Sequence, residues 1–297
     1  MQRRRFLQLS AALTLGPSVL TSRPRPVAGT FTELRGGVGY YTNRGGTVGL
    51  YLPQRGPGGV VVDSQFPEQA RALVSEVIGE GRRLDLLINT HHHGDHTGGN
   101  GILAPLATSY LAHERAKQNL ERTEAERKEG EALPLPTSTF DKKWTAVLPD
   151  GKEIVTVRHF GPAHTGGDAV IHFENANVAH VGDLMFNRRF PYVDPRAGGN
   201  MTSWIGVLGK IRKAYDRHTI FIFGHAADSY PVVGDRDDLA SMQDYLSSLR
   251  RYVRREKKRG TSLEALKAKT VTIPGAPEWS YGERLRDVNL EVMWEEV

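Results

Sequence analysis

Apolar and polar positions along this chain alternate between two kinds of segment. Short runs with strand character recur at 37–42, 47–52, 59–63, Leu84–Ile88, 109–112, 144–148, 153–159, 169–173, 178–181 and 219–223. Gly59-Val60-Val61-Val62-Asp63 and Leu84–Ile88 are apolar nearly throughout, as buried strands are. Turn residues separate the runs: Asn43-Arg44-Gly45-Gly46, Pro149-Asp150-Gly151 and Glu174-Asn175-Ala176-Asn177. Asn and Gly supply the positive φ angles that tight hairpins need. Residues 67–78 instead place Ala70, Leu73, Val74, Val77 and Ile78 on one helical stripe. Pro67 suits the first turn of that helix and Gly79 its end. Residues 202–215, Arg236–Lys258, Leu263–Lys269 and 283–296 read as further helices. Residues 113–130 are charged on most faces and predict an exposed helix or a mobile arm. Leu133-Pro134-Leu135-Pro136 then stops any helix. Strand, helix, strand and loop in succession predict a layered α/β fold.

One junction changes the picture. After Leu84–Ile88 comes Thr90-His91-His92-His93-Gly94-Asp95-His96-Thr97-Gly98-Gly99-Asn100. Imidazole and carboxylate are two of the few side chains that hold divalent transition metals. In an extended segment His91 and His93 point one way and His92 the other. Gly94 lets the chain turn, so Asp95 and His96 can aim at a second point nearby. A solvated polyhistidine loop would not need this spacing. Three later residues sit beside glycines at the ends of apolar runs: His164 in Gly161-Pro-Ala-His-Thr-Gly-Gly-Asp168, Asp183 in His180-Val-Gly-Asp, and His225 in Phe221-Ile-Phe-Gly-His.

Over roughly residues 31–225 these motifs resemble the metallo-β-lactamase fold superfamily, and in particular its glyoxalase II-like members. The resemblance implies a four-layered αβ/βα sandwich. It implies that His91, His93 and His164 hold one metal, that Asp95, His96 and His225 hold a second, and that Asp183 bridges them. Zinc is the expected metal, as two ions; iron and manganese remain alternatives. An acid at position 63 in that family supports the metal loop, and Asp63 and Thr165 are candidates to hold the imidazoles from behind. The implied domain spans 31–230, with a helical C-terminal extension at 231–297 packed on the core or on a second subunit of a homo-oligomer.

Composition narrows the class. Hydrophobic residues are 39% and charged residues 25%, as in a globular protein, and cysteine is absent, which excludes disulfides and zinc–thiolate sites. The formal net charge of +5 resides in Arg3, Arg4, Arg5, Arg23 and Arg25; without them the charges balance. A basic groove for nucleic acid is therefore not expected. Arg3-Arg4-Arg5-Phe6-Leu7-Gln8 matches a twin-arginine export signal, followed by a modest apolar stretch too short to span a bilayer. Residues 1–30 are thus expected to be an export signal, the twin-arginine machinery a partner, and the location periplasmic or secreted in a bacterium.

No G-x-S-x-G elbow, P-loop or dinucleotide fingerprint is present. The expectation is a metallo-hydrolase in which a hydroxide shared by two metals attacks an ester, thioester or lactone carbonyl of a small molecule. Asp95 is expected to orient the nucleophile and pass a proton to the leaving group. Arg188, Tyr192 and Asn200, in the loop after Asp183, are candidate substrate contacts; Arg189 beside them is another. A carboxylate at the bridging position counts against a dedicated β-lactamase in the resembled superfamily. A β-lactamase-type amide hydrolase and an iron-dependent sulfur oxidoreductase of the same fold are the alternatives.

Overall fold

The computed structural model describes residues 29–53 and 57–297. The export segment expected at 1–30 falls, up to residue 28, outside the described residues. A first sheet runs, in spatial order, β1 (Thr30–Arg35), β2 (Val38–Thr42), β3 (Val48–Tyr51), β4 (Val60–Val62), β5 (Leu84–Ile88), β6 (Ala107–His113) and β7 (Ser138–Phe140). From β1 to β4 neighbouring strands are antiparallel. From β4 to β7 they are parallel, because helices make the crossovers. These are α1 (Pro67–Leu73), α2 (Gly94–Thr97) with α3 (Asn100–Leu103), and α4 (Glu114–Glu126).

A second sheet runs β8 (Lys143–Val147), β9 (Ile154–Arg158), β10 (Val170–Phe173), β11 (Val178–Asn187), β12 (Ile220–Ala226) and β13 (Val233–Gly234). Only β11 and β12 pair in parallel, with α5 (Met201–Ala214) between them.

Val62, Ile88 and Leu111 of the first sheet meet Val157, Ile171 and Ile222 of the second in one buried core. The opposite face of the first sheet packs Leu50, Val61 and Leu87 on Leu73, Ile78 and Leu103. The opposite face of the second packs Ala179, Val181, Phe221 and Phe223 on Trp204, Leu208, Leu246 and Leu290. Both faces of β4 and β5 are therefore covered, which is why their sequences are apolar without alternation. The result is helix, sheet, sheet, helix: the expected four layers.

The C-terminal helices belong to the last layer. α6 (Arg236–Lys258) starts at a capping box of Asp235 and Asp238 and buries Leu239, Met242, Leu246, Leu249 and Val253 on one stripe. α7 (Leu263–Lys269) and α8 (Glu283–Glu296) follow. The Glu296 carboxylate accepts from the Met201 and Thr202 backbone N–H groups, at the positive end of α5. Among the described residues no helix is long and apolar enough to cross a membrane.

Strands β1, β7 and β13 were not among those expected, and three expected elements take another form. The helix at 67–78 widens into a π-turn at Val74–Ile78 before Gly79, φ 93°, ends it. The strand expected at 178–181 continues to Asn187, with its register shifted around Gly182, φ 52°. A bulge of this kind re-aims the following side chain. The charged stretch at 113–130 is a helix up to Glu126, capped by His113 and burying Ala116 and Leu120.

Candidate metal centre

The donors sit where strands of both sheets end. Residues 89–93 leave β5 through a bend at 90–92; α2 then carries Asp95 and His96. His164 lies in the loop between β9 and β10, Asp183 at the bulge of β11, and His225 near the end of β12.

His91 Nε2, His93 Nδ1 and His164 Nε2 form a triangle with edges of 3.1, 3.2 and 2.9 Å. Each ring's other nitrogen is engaged. His164 Nδ1 donates to the Tyr192 carbonyl at 2.8 Å, and His93 Nε2 to Asp194 at 3.2 Å. His91 Nδ1 lies 3.0 Å from Thr90 Oγ1, which itself donates to Asp63. These bonds leave three bare lone pairs facing one another. Such a cluster repels itself unless a cation lies between them. The edges approach the roughly 3.3 Å expected when Zn–N bonds of about 2.0–2.1 Å meet at tetrahedral angles.

A second set adjoins the first. Asp95 Oδ2 is 3.1 Å from His225 Nε2 and 3.8 Å from His96 Nε2. Asp183 stands between the sets. Its Oδ1 is 3.0 Å from His96 Nε2, while Oδ2 is 3.5 Å from His225, 3.4 Å from His164 and 3.9 Å from His91. His96 Nε2 and Asp183 Oδ1 are buried and neither has a well-formed hydrogen bond. Two glycines make room for those atoms. A Cβ on Gly46 would overlap the His96 ring, and one on Gly224 would overlap Asp183 Oδ1. The residues therefore fit a pair of divalent cations: His91, His93, His164 and Asp183 around one, Asp95, His96 and His225 around the other, with Asp183 within reach of both.

Burial holds His164 down at about 3 and His91 well below the usual imidazole range, so both are bare ligands at neutral pH. Burial also opposes charge on His96 and His225, but it is outweighed. Asp183, Asp95 and Asp63 hold His96 above its usual value, and Asp183 and Asp95 do so for His225. Burial would raise Asp183, yet His225 and His96 keep it well below the usual carboxylate range. The two acids thus favour protonated imidazoles in the second set, with which a cation would compete.

Behind the ligands, Asp63 is fully buried and accepts from Thr90 N, Thr90 Oγ1 and His96 Nδ1 at 2.8, 2.8 and 2.7 Å. Its φ of 66° is left-handed, a strain that this triple anchorage offsets. Thr165 holds no imidazole; its N–H and hydroxyl both donate to Asp168. Asp194, which orients His93, and Thr90, which orients His91, were not expected from sequence.

The substrate-contact candidates separate. The Tyr192 ring lies 5.4 Å from the His93 ring and is 42% exposed. Asn200 is used elsewhere: its side chain accepts from Ser203 N and caps α5. Arg188 is also directed away, held by Asn187 and Ser241 and lying over Tyr230 and Trp279. Its neighbour Arg189 lines an opening beside His225. The left-handed backbone at Arg188, φ 57°, breaks the alternation that would have placed it there.

Comparison with known proteins agrees with the geometry. A family model described as the metallo-beta-lactamase superfamily matches residues 44–258. Hydroxyacylglutathione hydrolase of Gloeobacter violaceus is 28% identical over 120 residues, 40% of this chain and 42% of that protein. The alpha subunit of 2,4-dinitroanisole O-demethylase from a Nocardioides species is 32% identical over 100 residues, 34% of this chain and 29% of that one. The chain thus spans less than half the length of these curated relatives. Among solved structures, the metallo-beta-lactamase from Pontibacter korlensis superposes with a TM-score of 0.57 at 17% identity, over 74% of this chain and 99% of its own. The sec-alkylsulfatase Pisa1 from a Pseudomonas species superposes with a TM-score of 0.66 at 15% identity, over 90% of this chain and 50% of its own. At these identities the structures speak for the fold; the family model, covering most of the chain, speaks for kinship. With its layers, its strand-end histidines and the carboxylate between them, this chain belongs to the metallo-beta-lactamase superfamily.

Proposed function

We propose that the protein is a di-zinc hydrolase of carboxylic esters, thioesters or lactones. The observation that carries this reading is Asp183, one carboxylate within 3.9 Å of the imidazoles of both donor sets. Two divalent ions held there would supply Lewis-acid polarisation of a carbonyl and activation of water near neutral pH. The chain's own groups do the rest. Asp95, with its side chain 32% exposed, is the most accessible of the donor carboxylates and is held ionised by His96 and His225 against the effect of burial. It can take a proton and deliver it to a leaving group. The Tyr192 hydroxyl, kept protonated by burial and by Asp194, offers a hydrogen-bond donor beside His93. Asp63, Thr90 and Asp194 fix the ring orientations, so no reorganisation is needed at the moment of reaction.

The thioester arm gains support from the similarity to hydroxyacylglutathione hydrolase. Export through the twin-arginine machinery to the periplasm forms part of the proposal and rests on Arg3-Arg4-Arg5-Phe6-Leu7 alone. The deciding experiment combines metal analysis of protein from its native host with a panel of ester, thioester, lactone, β-lactam, alkyl sulfate and phosphodiester substrates. Two zinc ions per chain and turnover of a carboxylic ester, thioester or lactone are expected. One iron per chain would refute the di-zinc reading, and turnover of β-lactams alone would refute the substrate class. Recovery only from cytoplasm on fractionation would refute export.

A further inference from the structure

A cavity of about 510 Å³ opens beside the first donor set, between the start of α1, the turns α2 and α3, and α4. That volume lies inside the range of roughly 300–1,000 Å³ typical of small-molecule sites. Phe66, Ile102, Leu120 and Leu133 supply apolar walls. Glycines widen it: a Cβ added at Gly94 or Gly101 would meet nothing within 4 Å. At its inner end the cavity shares His92, Gly94 and Thr123 with a second opening that holds His93, Tyr192 and Asp194. The apolar space therefore borders, across His92 and Gly94, the opening that holds His93. His92, only 4% exposed, lines both spaces, and its Nδ1 has no hydrogen-bond partner. The 127–133 segment roofs the cavity through one residue: Glu124 accepts from Arg127 and from the Leu133 backbone N–H.

We infer that this cavity takes an apolar acyl chain of the substrate, so that the enzyme prefers long-chain over short, polar esters, thioesters or lactones. The inference rests on the hydrolase reading above. The charged lining residues Arg71 and Glu131 are exposed to solvent, so the less exposed part of the lining is largely apolar. Glu124 and Arg127 satisfy each other at 2.6 Å.

Gly101 gives the test. It lies in α3, opposite no atom, so a larger side chain fills the cavity without displacing the fold. Two measurements are compared between wild type and Gly101→Phe: kcat/KM over an acetyl-to-decanoyl series of nitrophenyl esters, and calorimetric binding of decanamide, which is not turned over at a useful rate. In wild type kcat/KM should rise with chain length, by at most about fourfold per methylene buried. Gly101→Phe should cut the decanoyl-to-acetyl ratio at least tenfold and abolish decanamide binding. Leu133→Asp, in the exposed roof, should act in the same direction and guards against misfolding of the first variant. A flat chain-length profile in wild type, or unchanged decanamide binding in both variants, overturns the inference. Decanamide binding that Gly101→Phe removes, in a protein that hydrolyses no ester, thioester or lactone, would uphold the cavity while refuting the hydrolase reading.

Discussion

Gly46 and His96 touch across the two ends of the first sheet's turns: the α-carbon of the glycine lies against the imidazole, and a methyl group there would overlap the ring. The hairpin joining β2 to β3 is held in this place by Gly46 N donating to the Asp95 carbonyl and by Gln65 Nε2 donating to the Gly46 carbonyl, at 3.0 and 2.6 Å. Gly46→Ala must therefore move a ligand or a tightly bonded turn. Metal content should fall from two ions toward one per chain, with activity down about a hundredfold or more. Gly206→Ala, in α5 with nothing within 4 Å, is the control and should stabilise slightly, by up to about 1 kcal/mol. Equal metal content in the two variants would show that the closeness is irrelevant.

Asp183→Ala removes the one carboxylate common to both sets. The second ion should be lost and activity should fall by more than the 10–100-fold typical of outer partners. Inductively coupled plasma analysis with steady-state kinetics checks this; full turnover would refute a dinuclear centre.

Asp63→Asn keeps the shape but replaces a triple acceptor by an amide with one oxygen. One of the Thr90 or His96 donors is then left buried and unpaired, at about 1–3 kcal/mol. Metal affinity should drop about 10–100-fold. Competition with a chromogenic chelator measures it.

These residues differ in how visible they were in sequence. His91, His93, His96, His164, Asp183 and His225 were legible because ligand-type side chains stood at strand ends among glycines. Asp63 was half legible: a terminal acid on an apolar strand serves a turn equally well. Asp194 was not, since its bond to His93 spans 101 positions and only the packed loop creates it. Asn200 carried a local signal that was misread. An Asn just before a helix is a cap first, and Ser203 N takes its oxygen. Arg188 is directed away by its own left-handed backbone, which has no sequence signal, while Arg189, the other arginine named, lines the opening beside His225. The four layers were legible from apolar strands and one-sided helices, whereas the bulge at Gly182 was not, because it arises from pairing with β12.

His113 gives a pH signature away from the metal ligands. Its imidazole is 3% exposed, stacks on His159 at 4.1 Å, and is pushed down to about 4 by burial and then by His159. A folded pKa below the unfolded value near 6.5 means the unfolded chain binds the proton first. The contribution is present above about 6.5 and is lost as pH falls toward 4, on the order of 3 kcal/mol in all. Asn at this position can still accept from Arg115 N and does not titrate. The stability difference between wild type and His113→Asn should therefore shrink from pH 7 to pH 4 in urea titrations. A constant difference would mean that the histidine takes up its proton equally readily in the folded and unfolded states, so that burial does not depress it.

Metal removal should loosen the protein, not merely silence it. Without cations the lone pairs of His91, His93 and His164 face one another at 2.9–3.2 Å, and two carboxylates share space with His96 and His225. A ligand that binds only the folded state adds RT ln(1 + [L]/Kd), about 2.7 kcal/mol at a hundredfold excess over Kd. Chelation should thus lower Tm by several degrees, and zinc should restore it in wild type but only in part in Asp183→Ala. The proton held by the second set adds a directional check. Because Asp183 and Asp95 hold His96 and His225 above the usual imidazole value, binding in the neutral range should release protons from this set. Zinc affinity should therefore rise with pH across the neutral range, and calorimetry in buffers of different ionisation enthalpy should report proton release. Binding without release would mean that these rings are bare before the metal arrives, and the charge balance assigned to Asp183 would be wrong.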